Sequence, residues 1–219
     1  MCGRYTLTKP FKKIKEHFKA VGKINFVGRY NVAPKQDNLV VVAVGNKREF
    51  RKYRWGLIPH WSKDESMGSR LINARAETIE EKTSFESSFK SKRCLVPADG
   101  FIEWKKVYND KQPYYIHLKS KRLFAMAGIW EEWEGKEGII PTYSILTKEA
   151  NPVIAKYHER MPVILPLDCY DLWLNKETPV ETLRPILASI PEEKMEIYQI
   201  AKRVNSPKND DSKCITRVT

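Results

Sequence analysis

Apolar positions along this chain follow two periods. Between Pro10 and Ala20, Phe11, Ile14 and Phe18 recur three and four residues apart with lysines on the other face, which predicts a short amphipathic helix. From Leu39 to Gly45 the chain is a β-branched apolar run, and Glu49–Ile58 alternates as a partner strand would, with Gly45-Asn46 in the turn between them. Further strands are predicted at Arg93–Pro97, Phe101–Lys106, Tyr114–Leu118, Leu123–Trp133 and Ile139–Thr147. The last two flank Glu134-Gly135-Lys136-Glu137-Gly138, a hairpin turn by composition. Beyond Asn151 the pattern breaks into helical pieces at Asn151–Tyr157, Asp168–Leu174 and Pro179–Ser189, with returning strands at Met161–Leu165 and Glu196–Val204.

Many strands and few long helices define an α+β chain: a single β-rich domain with a mostly antiparallel, barrel-like sheet and short peripheral helices. No repeat, low-complexity tract or Gly/Ser linker divides the 219 residues, so one domain over 1–219 is expected. Neither a G-x-G-x-x-G nor a Walker loop is present, which removes the common nucleotide-cofactor readings.

Composition narrows the partners. With 42% hydrophobic and 11% aromatic residues the chain can bury a core. No apolar run approaches the roughly 18 residues of a membrane span, and the amino terminus lacks the apolar stretch of a secretory signal. The expectation is a cytoplasmic protein with no membrane partner, nucleoid-associated if bacterial. The four cysteines, at 2, 94, 169 and 214, form no C-x-x-C pair, and the four histidines show no ligand spacing, so neither metal nor cofactor is expected. Net charge is +12, which favours polyanions through counterion release. A solvated basic surface fits the same number.

Five segments carry possible chemistry. In Met1-Cys2-Gly3-Arg4, a small second residue is one whose initiator methionine is normally trimmed. Cys2 would then carry an α-amine of reference pKa ~7.7–8.0 beside a thiol near ~8.5. Such a 1,2-aminothiol condenses with an aldehyde to an imine and closes to a thiazolidine, which an internal cysteine, its nitrogen locked in an amide, cannot do. The bland alternative is that a cysteine at residue 2 is an accident of sequence. In Asn73-Ala74-Arg75-Ala76-Glu77-Thr78, an extended chain puts Asn73 and Arg75 on one face, suited to an anionic or sugar ligand. A turn cap and a surface ion pair would use the same two residues. Glu103 lies in an apolar, aromatic strand, where burial would raise its pKa and an edge position would leave it solvated. His158 titrates near cell pH or serves structure, and Arg160 suits a phosphate or a surface carboxylate. In Arg54–Lys63, interleaved aromatics and cations suit single-stranded DNA, with Trp55 as core and Trp61 as the base-contacting wedge. Cys94 and Cys169 read as core.

Together these strings resemble the SRAP family of SOS-response-associated peptidase, or abasic-site processing, proteins. The matches are MCGRY at the amino terminus, NVAP at 31–34, RWGLIP at 54–59, NARAET at 73–78, CLVPADGFIEW at 94–104, AGIW at 127–130, ILTKEAN at 145–151 and HERMPVIL at 158–165. Val204-Asn205 matches more weakly. The resemblance implies a β-rich fold with a basic groove for single-stranded DNA containing abasic sites, where Cys2 forms a thiazolidine crosslink with the ring-opened aldehyde. It implies that Asn73 holds the Cys2 amine or the opened sugar, Glu103 handles protons at Cys2 and the sugar, and His158 protonates the ring oxygen. It further implies that Arg4, Arg75 and Arg160 bind the backbone near the lesion, with Pro34 and Trp61 near displaced bases. Some relatives carry two adjacent aromatics where Trp61 is followed by Ser62.

The activities so implied are covalent, lyase-like processing and autoproteolytic Met1 removal, a trimming that an ordinary aminopeptidase could equally perform. Nothing in the sequence suggests an obligate dimer, so a monomer is expected. Two other readings compete: a cysteine peptidase acting in trans through Cys2, His158 and Glu103, and a non-covalent single-stranded DNA binder.

Overall fold

The computed structural model describes residues 2–187 and 195–218. In chain order the strands and helices are β1 (Arg4–Leu7), α1 (Phe11–Phe18), β2 (Arg29–Val32), β3 (Asp37–Val44), β4 (Lys47–Trp55), β5 (Asn73–Arg75) and α2 (Glu86–Ser91). There follow β6 (Arg93–Ala98), β7 (Gly100–Val107), β8 (Asp110–Leu118), β9 (Phe124–Gly135), β10 (Gly138–Glu149), β11 (Arg160–Pro162) and β12 (Ile164–Leu165). The last elements are α3 (Tyr170–Leu174), α4 (Val180–Ile186) and β13 (Met195–Gln199).

Two sheets result. One orders its five strands β13-β8-β7-β1-β2, and the other runs β11-β10-β4-β3-β6-β9-β12 with β5 added on β10. Because β9 also pairs with β10, strands β10, β4, β3, β6 and β9 close into a barrel with no free edge among them. Pairing is antiparallel except where β10 meets β4 and β5, which lie far upstream in sequence. The α+β, barrel-like, mostly antiparallel fold expected from the sequence is thus present.

Both faces of the barrel wall are covered, which explains the apolar runs. Leu39 and Val41 join the core under α1 to α4, whereas Val40 and Val42 join the core between the two sheets. Strands buried on both faces read as continuous hydrophobic stretches and not as alternation. Arg93 is buried at 3% exposure and donates to the carbonyls of Phe89, Lys90, Trp173 and Asn175, which docks α2 and α3 against the wall.

Several boundaries depart from the sequence expectation, each for a local reason. β4 stops at Trp55 because Gly56 has φ +124°, and a Cβ there would lie 2.3 Å from the Gly68 carbonyl oxygen. That turn sends Leu57–Ser62 out as a loop. Met161–Leu165 is two strands: β11 pairs with β10 and β12 with β9, while Val163 between them donates to Leu146 and accepts from Ala127. Asn151–Tyr157 holds only one 3-10 turn, Ile154–Lys156. The last strand ends at Gln199, and Val204 belongs to a 3-10 turn, Lys202–Asn205. Cys94 is fully buried as expected, but Cys169 is only partly so. Ser189, at the end of an expected helix, lies outside the described residues.

Two acids fix the segments around the amino terminus. Asp99 accepts from the Thr6 hydroxyl at 2.5 Å and from the Thr8 amide and hydroxyl at 2.6 Å each, which aligns β1 on β7. Asp210 accepts from the amides of Tyr30 and Asn31 and pairs with Arg29. Asn31 donates in turn to the carbonyls of Val204, Ser206 and Asn209, so the carboxy-terminal turn is laid against β2.

Candidate functional site

Cys2 precedes β1, and the antiparallel pairing of Arg4 with Ile102 brings it to the strand that bears Glu103. Cys2 is fully buried, with its thiol 3.8 Å from the Arg4 carbonyl oxygen. The Asn73 amide reaches across from the other sheet and donates to the Cys2 carbonyl at 3.0 Å. Strand β5 can offer Asn73 because Ala74, on its other face, is buried in the core while Arg75 faces solvent. The site therefore lies where the two sheets meet.

Glu103 is 1% exposed, so the buried alternative holds and the edge-strand one does not. Burial raises its carboxyl pKa to about 7, against a partial pull downward from the positive amino terminus and the Trp104 amide. Burial also drives the Cys2 thiol far above its ordinary range, and the nearby Glu103 charge adds to the rise. The pair is thus a carboxyl poised near neutrality beside a thiol that stays protonated.

His158 follows a 3-10 turn whose Tyr157 ring packs 4.6 Å, centre to centre, from Tyr114. Tyr114 pairs with Glu103 across β7 and β8, so the histidine segment leans on the glutamate strand. The His158 ring nitrogen Nδ1 accepts from the Arg160 amide at 2.9 Å, which leaves Nε2 to carry the proton of the neutral ring. Burial lowers the His158 pKa, and the amino-terminal charge lowers it further.

The arginines differ in availability. Arg4 donates to the Gly3 carbonyl at 3.0 Å and the Asn205 carbonyl at 3.4 Å, and lies 5.9 Å from the centre of the Trp104 ring. Trp104 itself donates to the Asn205 side chain at 2.8 Å. Arg75 is exposed and makes no ion pair or side-chain hydrogen bond among the described residues. Arg160 is held by a fork of two bonds to Glu77, at 2.9 and 2.7 Å, and also donates to the Thr147 carbonyl. Of its two sequence options, the carboxylate partner is the one present here.

Pro34 sits in the turn after β2, whose pairing with β1 (Tyr5 opposite Val32) carries that turn toward the Cys2 end. Trp61 is 51% exposed on the loop after β4, and no bond among the described residues joins it to Cys2. Trp55 is core, with its indole donating to the Ile72 carbonyl just before Asn73. Sequence reasoning passed over Glu77, Trp104 and Asn205 as site residues. Glu77 and Trp104 lie inside the NARAET and CLVPADGFIEW strings, whereas only the fold brings Asn205 to Arg4.

Seven buried side-chain N or O atoms lack a hydrogen-bond partner among the described residues: Arg4 Nε, Asn31 Oδ1, Asn38 Oδ1, Asn73 Oδ1, Glu103 Oε1, Ser144 Oγ and Arg160 Nε. Four of the seven belong to residues chosen as site candidates from the sequence. Unmet polar atoms are costly, and their concentration here makes this cluster the candidate site. No group of metal-binding side chains occurs among the described residues, and no helix among them is long and apolar enough to cross a membrane.

Comparison with known proteins places the chain. Residues 1–207 match the model of the SOS response associated peptidase (SRAP) family. The abasic site processing protein YoaM of Bacillus subtilis is 43% identical, over 98% of this chain and 97% of its own. Abasic site processing protein HMCES of Gallus gallus is 31% identical, over 86% of this chain and 66% of its own. A solved structure of a Bacteroides thetaiotaomicron protein superposes with a TM-score of 0.91 at 28% identity, covering both chains completely. On the length of the family match and the identity to these relatives, the chain belongs to the SRAP family.

Proposed function

We propose that this protein acts in the response to DNA damage, capturing abasic sites in single-stranded DNA as a thiazolidine between Cys2 and the lesion aldehyde. The observation that carries the reading is the setting of residue 2. Its carbonyl is bound by Asn73, and its thiol lies beside a buried carboxyl whose pKa is about 7. Relatives named as abasic site processing proteins support the substrate.

The chemistry follows from these groups. An abasic sugar is mostly a closed hemiacetal, so an acid must help it open before an amine can attack. His158, with its proton on Nε2, and Glu103, near half-protonated at neutral pH, are the acid–base pair for that step. Once Met1 is gone, the Cys2 amine adds to the aldehyde carbon and expels water, which forms an imine. The thiol then adds across the C=N bond, sulfur to carbon and its proton to nitrogen. A thiol kept neutral by burial suits this order, since it acts after the amine and brings its own proton.

The same property weighs against a cysteine peptidase acting in trans. That reaction needs a thiolate generated by a low pKa or an adjacent imidazole, and burial moves the Cys2 thiol the other way. In the proposed role Asn73 positions residue 2 and the opened sugar, while Pro34 and Trp61 face the displaced bases. Arg4, Arg75 and Arg160 serve the backbone, Arg75 as the exposed cation and Arg160 while it keeps its fork to Glu77.

Binding to an abasic analogue that cannot open, a tetrahydrofuran site in a single strand, tests the non-covalent part. Arg75→Ala is expected to weaken affinity and to reduce the slope of log K against log salt by about 0.7, the loss of one phosphate contact on a single strand. An unchanged slope would remove Arg75 from the backbone contacts. Equal affinity for duplex DNA would remove the single-strand preference.

A further inference from the structure

Glu77 stands at a junction of three strands that carry the candidate machinery. It follows β5, the strand of Asn73 and Arg75, by two residues. Its carboxylate accepts the Arg160 fork from β11 and also the Glu149 amide from β10, at 3.0 Å. Strand β10 lies between the other two, with Thr147 opposite Arg75 on one side and Glu149 opposite Arg160 on the other. Arg160 binds the Thr147 carbonyl as well, at 2.7 Å. One carboxylate thus ties together the chain ends of β5, β10 and β11.

The tie reaches the chemistry through short links. The backbone amide of Arg160 donates to His158 Nδ1, so the position of Arg160 sets both the ring orientation and the nitrogen that carries the proton. Asn73, four residues before Glu77, binds the Cys2 carbonyl. A bidentate arginine–carboxylate pair fixes geometry in a way that a single surface ion pair does not. The Arg160 side chain is 13% exposed and that of Glu77 48%, so the pair closes at the rim of the site with its arginine end covered.

We infer that Glu77 is a positioning residue that clamps the Asn73 segment to the His158 segment and commits His158 to reaction through Nε2, while its charge opposes DNA phosphate beside Arg160. The inference rests on the covalent-capture reading given above. Burial alone would raise the Glu77 carboxyl, yet the bonds from Arg160 and the backbone amides bring it to about 2, so the clamp stays charged throughout the working pH range.

The two effects pull apart in a way that plain structural damage does not. Glu77→Gln releases the Arg160 fork and removes one negative charge beside the DNA path, so affinity for the tetrahydrofuran single strand is expected to be unchanged or tighter. The single-turnover rate of adduct formation at saturating abasic DNA is expected to fall on the order of 10- to 100-fold, as small misplacements of reacting groups do. Side-chain nitrogen NMR should show His158 as the Nε2–H form in the wild type and as mixed tautomers in the variant. If Glu77→Gln does not fold, Glu77→Asp keeps the charge, shortens the reach and must slow the saturated rate without weakening binding. An unchanged saturated rate overturns the inference, and so does a loss of binding in step with rate. Failure of the underlying reading is separate: the wild type itself would then form no Cys2-dependent adduct.

Discussion

Cys2→Ala is expected to abolish the denaturant-stable adduct with abasic single-stranded DNA while leaving an adduct that borohydride can trap. The variant still presents an α-amine once Met1 is removed, so it can still form an imine with the lesion aldehyde. It lacks the sulfur that closes the ring. The open imine then partitions between hydrolysis and β-elimination, so strand cleavage at the lesion should rise as the stable adduct disappears. Denaturing gels run with and without borohydride measure both products. A Cys2→Ala protein that gives as much stable adduct as the wild type would end the thiazolidine account. One that gives no trappable imine would shift the amine's role elsewhere.

Glu103→Gln is expected to act on rate and stability in opposite directions. Removing a general acid–base of this kind costs about 100-fold or more in rate, and adduct formation should slow accordingly. The stability effect has a defined sign. Burial raises the folded-state carboxyl pKa from the ordinary 4.5 to about 7, so the folded protein binds this proton more tightly than the unfolded chain. Below pH 4.5 both states are protonated and nothing is lost. Between 4.5 and 7 the wild type loses stability as pH rises, by about 3 kcal/mol in all for a shift of this size. Glutamine keeps the shape without the charge and escapes that loss. Melting temperatures should therefore show the variant gaining on the wild type from pH 5 to pH 8. A constant difference across that range would mean that Glu103 is not the buried, pH-dependent group described.

Much of the fold was legible because periodicity follows burial. Strands β3, β6 and β9 are buried over most of their length and β10 through its middle, and their apolar runs announced them. Strands β1 and β2 did not announce themselves, being four residues each and led by Arg4 and Arg29. Their pairing is set by Asp99 and Asp210, distant residues that no local pattern reveals. Helix α2 escaped notice because it is six residues of mostly polar sequence with only Ser88 and Phe89 buried. Gly56 ended β4 early through a left-handed backbone turn, a cue that alternation does not carry.

The site divided in the same way. Cys2, Asn73, Glu103 and His158 stand out as candidates by residue type and by likeness to the family, and contacts bring the first three together. Their environments were not identifiable. That Glu103 is buried and that the Cys2 thiol is held neutral depend on partners far apart in sequence, and that His158 is fixed at Nδ1 depends on a turn to the Arg160 amide that residue type does not reveal. Glu77 shows the difference most clearly. In sequence it is one acid two residues past Arg75, and in the fold it is the partner of Arg160, 83 residues away.

The central claim is that residue 2, once it is the amino terminus, captures an abasic aldehyde through nitrogen and sulfur together. Intact mass spectrometry of the wild type after incubation with an abasic single strand tests it in one spectrum. The account predicts free protein lacking Met1, and an adduct whose mass is that protein plus the oligonucleotide minus one water. An adduct on protein that retains Met1, or one that has lost no water, would contradict it.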